Sequence, residues 1–195
     1  MISHNDPKFV FLHLPKNAGS SVTKALARHI GVEREELRYG QNKFIYARNL
    51  HKFIDDPESY FIFSVIRNPW DRVVSYFHYL QQIRQPPHNL DKNVKFADWV
   101  KGKGFRGLQT QMSQLSDVFP CNVSTKVNYV ARLENLNEEW QAICDGMGIE
   151  CELMHDKKSK HRDYTEYYDD ETKDIIYRNY KDDVDCLAYY FGDNR

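Results

Sequence analysis

No stretch of the 195-residue chain is apolar for long enough to cross a bilayer as a helix, which takes about 20 such residues. The first residues, Met1 to Pro7, lack the basic-then-apolar pattern of a secretory leader. For the chain as given, these two absences predict a cytoplasmic location, or else a catalytic domain trimmed from its anchor. Neither sign of charge dominates, with 27 Lys and Arg against 28 Asp and Glu. No global field therefore recruits nucleic acid or an anionic membrane, and any anion binding must come from a local cluster. Cysteine is scarce: Cys121, Cys144, Cys151 and Cys186 show no CxxC spacing, which predicts reduced, partly buried thiols and neither a metal site nor a disulfide framework. Internal repeats and low-complexity linkers are missing as well, so residues 1–195 are expected to form one domain.

What is present is ordinary for a globular chain: 41% hydrophobic and 28% charged residues. Lys8 to Leu14 reads as a buried strand, ended by the loop signal Pro15-Lys16-Asn17-Ala18-Gly19. Ser20 is then placed to cap a helix whose apolar positions, Val22, Leu26 and Ile30, recur every four residues. A second strand, Tyr60 to Ile66, breaks at Arg67-Asn68-Pro69. A long helix follows, with Trp70, Val73, Val74, Phe77 and Leu80 on one stripe and Asp71, Ser75 and His78 on the other face. A short helix is expected around Phe96 to Val100, a third strand from Val127 to Leu133, a helix from Asn137 to Met147, and a helical tail from about Asp170 to Phe191. Strands alternating with helices predict an α/β fold with a central parallel sheet flanked by helices.

Two segments carry chemistry. In His13-Leu14-Pro15-Lys16-Asn17-Ala18-Gly19-Ser20-Ser21, a strand gives way to a helix, where backbone N–H groups and the positive end of the helix dipole converge. Gly19 allows close approach of an anion, Ser20 and Ser21 add hydroxyls, and Lys16 adds a full charge. The lysine precedes the glycine, unlike the nucleoside-triphosphatase loop in which lysine follows it. The second segment, Arg67 to Tyr76, places a guanidinium at the end of a strand and Ser75 about two turns into the next helix, a combination suited to a phosphate monoester. Two separate anion sites fit a nucleotide with groups at both its 5′ and 3′ ends.

At these residues the sequence resembles the sulfotransferase superfamily, and in particular the membrane-type carbohydrate O-sulfotransferases of the heparan and chondroitin type. HLPKNAGSS is similar to the family's 5′-phosphosulfate loop and RNPWDRVVSY to its 3′-phosphate motif. Weaker likenesses follow at Val130 to Leu136, at Lys158 to Tyr168 and at Tyr180 to Phe191. The resemblance implies a fold related to the P-loop kinases and a donor, 3′-phosphoadenosine 5′-phosphosulfate, used without a metal. It implies that Lys16, Asn17, Ala18, Gly19, Ser20 and Ser21 hold the 5′-phosphosulfate. Arg67 and Ser75 would bind the 3′-phosphate, with Ser159 and Lys160 closing over it. Arg72 is open between a site role and a structural ion pair.

The family usually draws its general base from a histidine between the first loop and the second strand. Here Phe44 falls in that position, and His51 is the leading substitute, with His13 and His78 behind it. The resemblance implies a sugar hydroxyl as acceptor, and a small-molecule alcohol stays open. Lys92, Lys95, Lys101, Lys103 and Arg106 are placed either to receive an anionic glycan or to form a solvated face. Two other readings stay open: a catalytically silent nucleotide-binding homologue, and a small-molecule kinase.

Overall fold

The computed structural model describes residues 1–33, 37, 46–83, 89–117, 122–153 and 162–193. They gather into two compact units, one within Met1–Ile66 and Gln111–Lys158, the other within Arg67–Thr110 and Ser159–Asn194.

The first unit is built on a four-stranded sheet in the order β1-β2-β3-β4: β1 Ile2–Asn5, β2 Lys8–Leu12, β3 Phe61–Ile66 and β4 Tyr129–Arg132. The two near-continuous apolar runs, β2 and β3, lie at its centre, as strands buried on both faces must. They pair in parallel, Phe9 opposite Phe61 and Leu12 opposite Ser64, and β4 extends the parallel set from Phe63 opposite Tyr129. The expected parallel core is therefore present. The sheet is nevertheless mixed, because β1 folds back antiparallel on β2 with Ile2 opposite Phe11. Helices α1 (Gly19–Ile30) and α5 (Leu136–Met147) cover the face carrying Phe9, Phe11, Phe63, Val65 and Ala131, with Val22, Leu26, Trp140 and Ile143 buried against it. Gly146 lets α5 seat on the Phe61 ring: a Cβ there would lie 2.2 Å from it. A short helix, α4 (Gln111–Leu115), also belongs to this unit.

The second unit is helical: α2 (Pro69–Gln82), α3 (Phe96–Lys101), α6 (Asp170–Asn179) and α7 (Lys181–Cys186). The expected α2 stripe, Trp70, Val73, Val74, Phe77 and Leu80, is buried and joins Trp99, Phe105, Tyr164, Ile176 and Tyr180 in one core. Asn68 caps α2 by accepting from the Trp70 N–H at 3.1 Å, and Pro69 sits at the first helical position, where its missing N–H costs nothing. Asp169 and Thr172 form a reciprocal capping box on α6.

Three local expectations are corrected. Ser20 does not cap α1; the cap is Ala18, in the left-handed region with φ 52° and no side-chain hydrogen bond. The tail is not one helix. It breaks at Tyr180 (φ −117°), although Ile176, Tyr180, Val184 and Leu187 stay buried across the break. The four cysteines are not all reduced, because Cys186 is disulfide-bonded, a pairing that CxxC-type spacing cannot reveal. Among the described residues, no helix is long and apolar enough to cross a membrane.

Candidate active site

The loop between β2 and α1 is shaped by backbone strain. Lys16 (φ 71°) and Ala18 (φ 52°) both occupy the left-handed region without being glycine. Each such residue costs about 1 kcal/mol or more, so surrounding structure must hold it there. Left-handed residues within a turn tilt backbone N–H groups into a concavity suited to an anion. Lys16, in the turn before α1, and Ser21, in its first turn, are half-buried, and Ser20 in that first turn is exposed.

Two side chains hold this loop. Asn17 is fully buried and donates from Nδ2 to the Val65 carbonyl at 2.8 Å and to Gln111 Oε1 at 2.6 Å, tying the loop to β3 and α4. Its Oδ1 is buried with no hydrogen-bond partner among the described residues. The side chain of Asn17 is therefore an anchor within the fold. His13 supports the loop from the sheet side, its ring stacked on Phe11 with centroids 5.6 Å apart. A Cβ on Gly19 would lie 1.7 Å from His13 Nε2, so glycine is required there by the imidazole. His51 is exposed in the 3-10 turn Ala47–Lys52, where its neighbour Arg48 donates to the Ser113 carbonyl at 3.1 Å.

The second segment is organised within the other unit. Arg67 is 8% exposed, and its Nε and Nη2 both donate to Asp71 Oδ2, at 2.8 and 2.7 Å. Ser75 is nearly buried one turn beyond Asp71, so Asp71 and Ser75 share a face of α2. Asn68 Nδ2 donates to Tyr164 Oη at 3.2 Å and to the carbonyls of Tyr190 and Asp193 at 3.0 and 3.1 Å. The Gly192 N–H donates to Tyr164 Oη at 2.7 Å, closing the same clasp. Burial pushes the Tyr164 phenol well above its ordinary range, so it stays protonated.

Arg72 resolves toward structure. It is fully buried, donates from Nη1 to the Gln109 carbonyl at 2.8 Å, and lies 3.9 Å from the equally buried Asp183. Burial lowers its pKa and Asp183 opposes that shift. His78 is likewise engaged, with Nε2 2.9 Å from Tyr167 Oη. Phe44, Ser159 and Lys160 lie outside the described residues. Among the described residues, no group of three or more His, Cys, Asp or Glu is arranged to hold a metal ion.

The family model of the sulfotransferase family matches residues 1–190, and so runs through both loops and all four strands. The chain belongs to the sulfotransferase family. A comparison with individual curated proteins gives no match. Sulfonyl transfer is thus the general chemistry of the family to which this sulfotransferase belongs. Asp71, Asn68 and Tyr164 are supporting residues that motif reading missed. Only the Arg67/Asp71 pair left a sequence signal, as opposite charges four residues apart.

Proposed function

We propose that this sulfotransferase moves a sulfonate group from 3′-phosphoadenosine 5′-phosphosulfate to a carbohydrate hydroxyl, with residues 1–195 serving as one catalytic domain. The observation that carries the reading is the strained loop at Lys16 and Ala18, set just before α1, where Gly19 packs against the His13 ring. Its donor set, backbone N–H groups with one ammonium and two hydroxyls, suits a phosphosulfate. The donor supplies an activated sulfonate on a phosphate leaving group. In-line transfer spreads negative charge over oxygens at the reacting end, and fixed N–H donors with the Lys16 ammonium neutralise it as it develops. Asn17 and Ala18 contribute through their backbone N–H groups, and Ser20 and Ser21 through hydroxyls and the helix start. Arg67 and Ser75 take the 3′-phosphate, aided by Ser159 and Lys160. His51 accepts the proton of the attacking hydroxyl. No metal takes part.

Calorimetry followed by turnover tests this reading. Adenosine 3′,5′-bisphosphate should bind, whereas ATP with magnesium should not bind preferentially, and labelled sulfonate should pass to a member of a panel of glycans and small alcohols. EDTA should leave the rate unchanged. Lys16→Ala should abolish transfer. His51→Ala should cut turnover by roughly 10² with donor affinity intact, within the usual range for a lost general base. Preferential binding of ATP with magnesium would overturn the reading in favour of a kinase. Bisphosphate binding with no turnover on any acceptor would mark a silent homologue.

A further inference from the structure

We propose that Cys144 and Cys151 form a disulfide site that staples the end of α5 to the segment after it. The inference is independent of the proposed donor and acceptor. Helix α5 ends at Gly148 (φ 69°), and the chain folds back so that the Ile149 N–H donates to the Cys144 carbonyl at 3.0 Å. Trp140 Nε1 donates to the Cys151 carbonyl at 2.7 Å and fixes that residue beside the helix. Both thiols are free in the structure, and their sulfurs lie 3.7 Å apart. A disulfide needs about 2.05 Å, so roughly 1.6 Å remains to close, a shift within reach of side-chain rotation.

Cys144 is buried at 1% exposure and Cys151 is half-buried, so in a late, near-native folding intermediate Cys151 is the thiol that a reagent meets first. With a small-molecule disulfide such as oxidised glutathione, the Cys151 thiolate attacks one sulfur and releases one glutathione thiolate. The Cys144 thiolate then attacks Cys151 Sγ and releases the second. Two cysteine thiols are oxidised, one disulfide is reduced to two thiols, and the two cysteine protons end on the released thiolates or in solvent. Burial and the adjacent Cys144 thiol push Cys151 up to about 12, so little thiolate exists in the folded state and closure belongs to the folding stage. The disulfide already held by Cys186 fits the same oxidising conditions.

The test is to unfold the reduced chain, refold it in a glutathione redox buffer, and weigh the proteolytic fragment that carries both cysteines. The expected mass is lower by two hydrogen atoms. The oxidised protein should also melt about 5 °C or more above Cys151→Ser refolded in the same buffer. Recovery of Cys144 and Cys151 as thiols, or as separate glutathione adducts, overturns the proposal. The wild-type mass decides it even if the variant fails to fold.

Discussion

The arginine proposed to take the 3′-phosphate, Arg67, is held in place by Asp71 in the first turn of α2. One carboxylate oxygen receives two of the guanidinium's donors, so the fork is oriented while part of its charge is offset. Removing Arg67 should therefore damage binding more than removing its orienting partner. Arg67→Ala is expected to weaken adenosine 3′,5′-bisphosphate binding about 10- to 100-fold, the worth of a lost charge-assisted hydrogen bond. Arg67→Lys should recover little, because a point charge cannot reproduce the fork. Asp71→Ala should fall between Arg67→Ala and the unaltered protein. Calorimetric titration of the three variants gives the order, and wild-type affinity in Arg67→Ala would remove Arg67 from the site.

Among the elements, the β2–α1 connection depends most on a single missing atom. Gly19→Ala would drive a methyl group into the His13 ring, so either the loop or the imidazole must move. Overpacking of this kind costs about 1–3 kcal/mol, and thermal melting of Gly19→Ala should show it. If the clash is the cause, His13→Ala should remove most of the added penalty when combined with Gly19→Ala, as a double-mutant cycle would reveal. The same elements show what a one-dimensional reading reaches. β2, β3 and α2 were legible because apolar runs and a 3.6-residue stripe are local signals. Strand β1 was not, since Ile2-Ser3-His4-Asn5 has only one buried hydrophobic residue and is a strand through its pairing with β2. The tail's apolar stripe runs unbroken through Tyr180, so periodicity could not mark the break there. In the site, the glycine and lysine of the first loop were visible as a motif. The inward turn of Asn17 was not, because its partners, Val65 and Gln111, stand 48 and 94 residues away.

For the molecule as a whole, the most exposed liability is a charge with no water around it. Arg72 and Asp183 are both fully buried, and each offsets the charge of the other. Arg72→Met should destabilise by about 3–5 kcal/mol, a fall of roughly 10 °C in Tm for a chain of this size. Adding Asp183→Leu should return much of that loss, since an apolar pair leaves no stranded carboxylate. A double variant that melts no higher than Arg72→Met would show that the Gln109 contact, and not the charge pair, carries the stability. The clasp on Asn68 bears on order in time. Two of the acceptors of Asn68, the carbonyls of Tyr190 and Asp193, come 122 and 125 residues later in the chain, and Gly192 between them donates to Tyr164. During synthesis, α2 can coil and cap itself as soon as it emerges, but the turn that presents Arg67 waits for some of the last residues made. A ribosome-bound fragment ending before Tyr190 would thus carry a finished first loop and an unfinished second one.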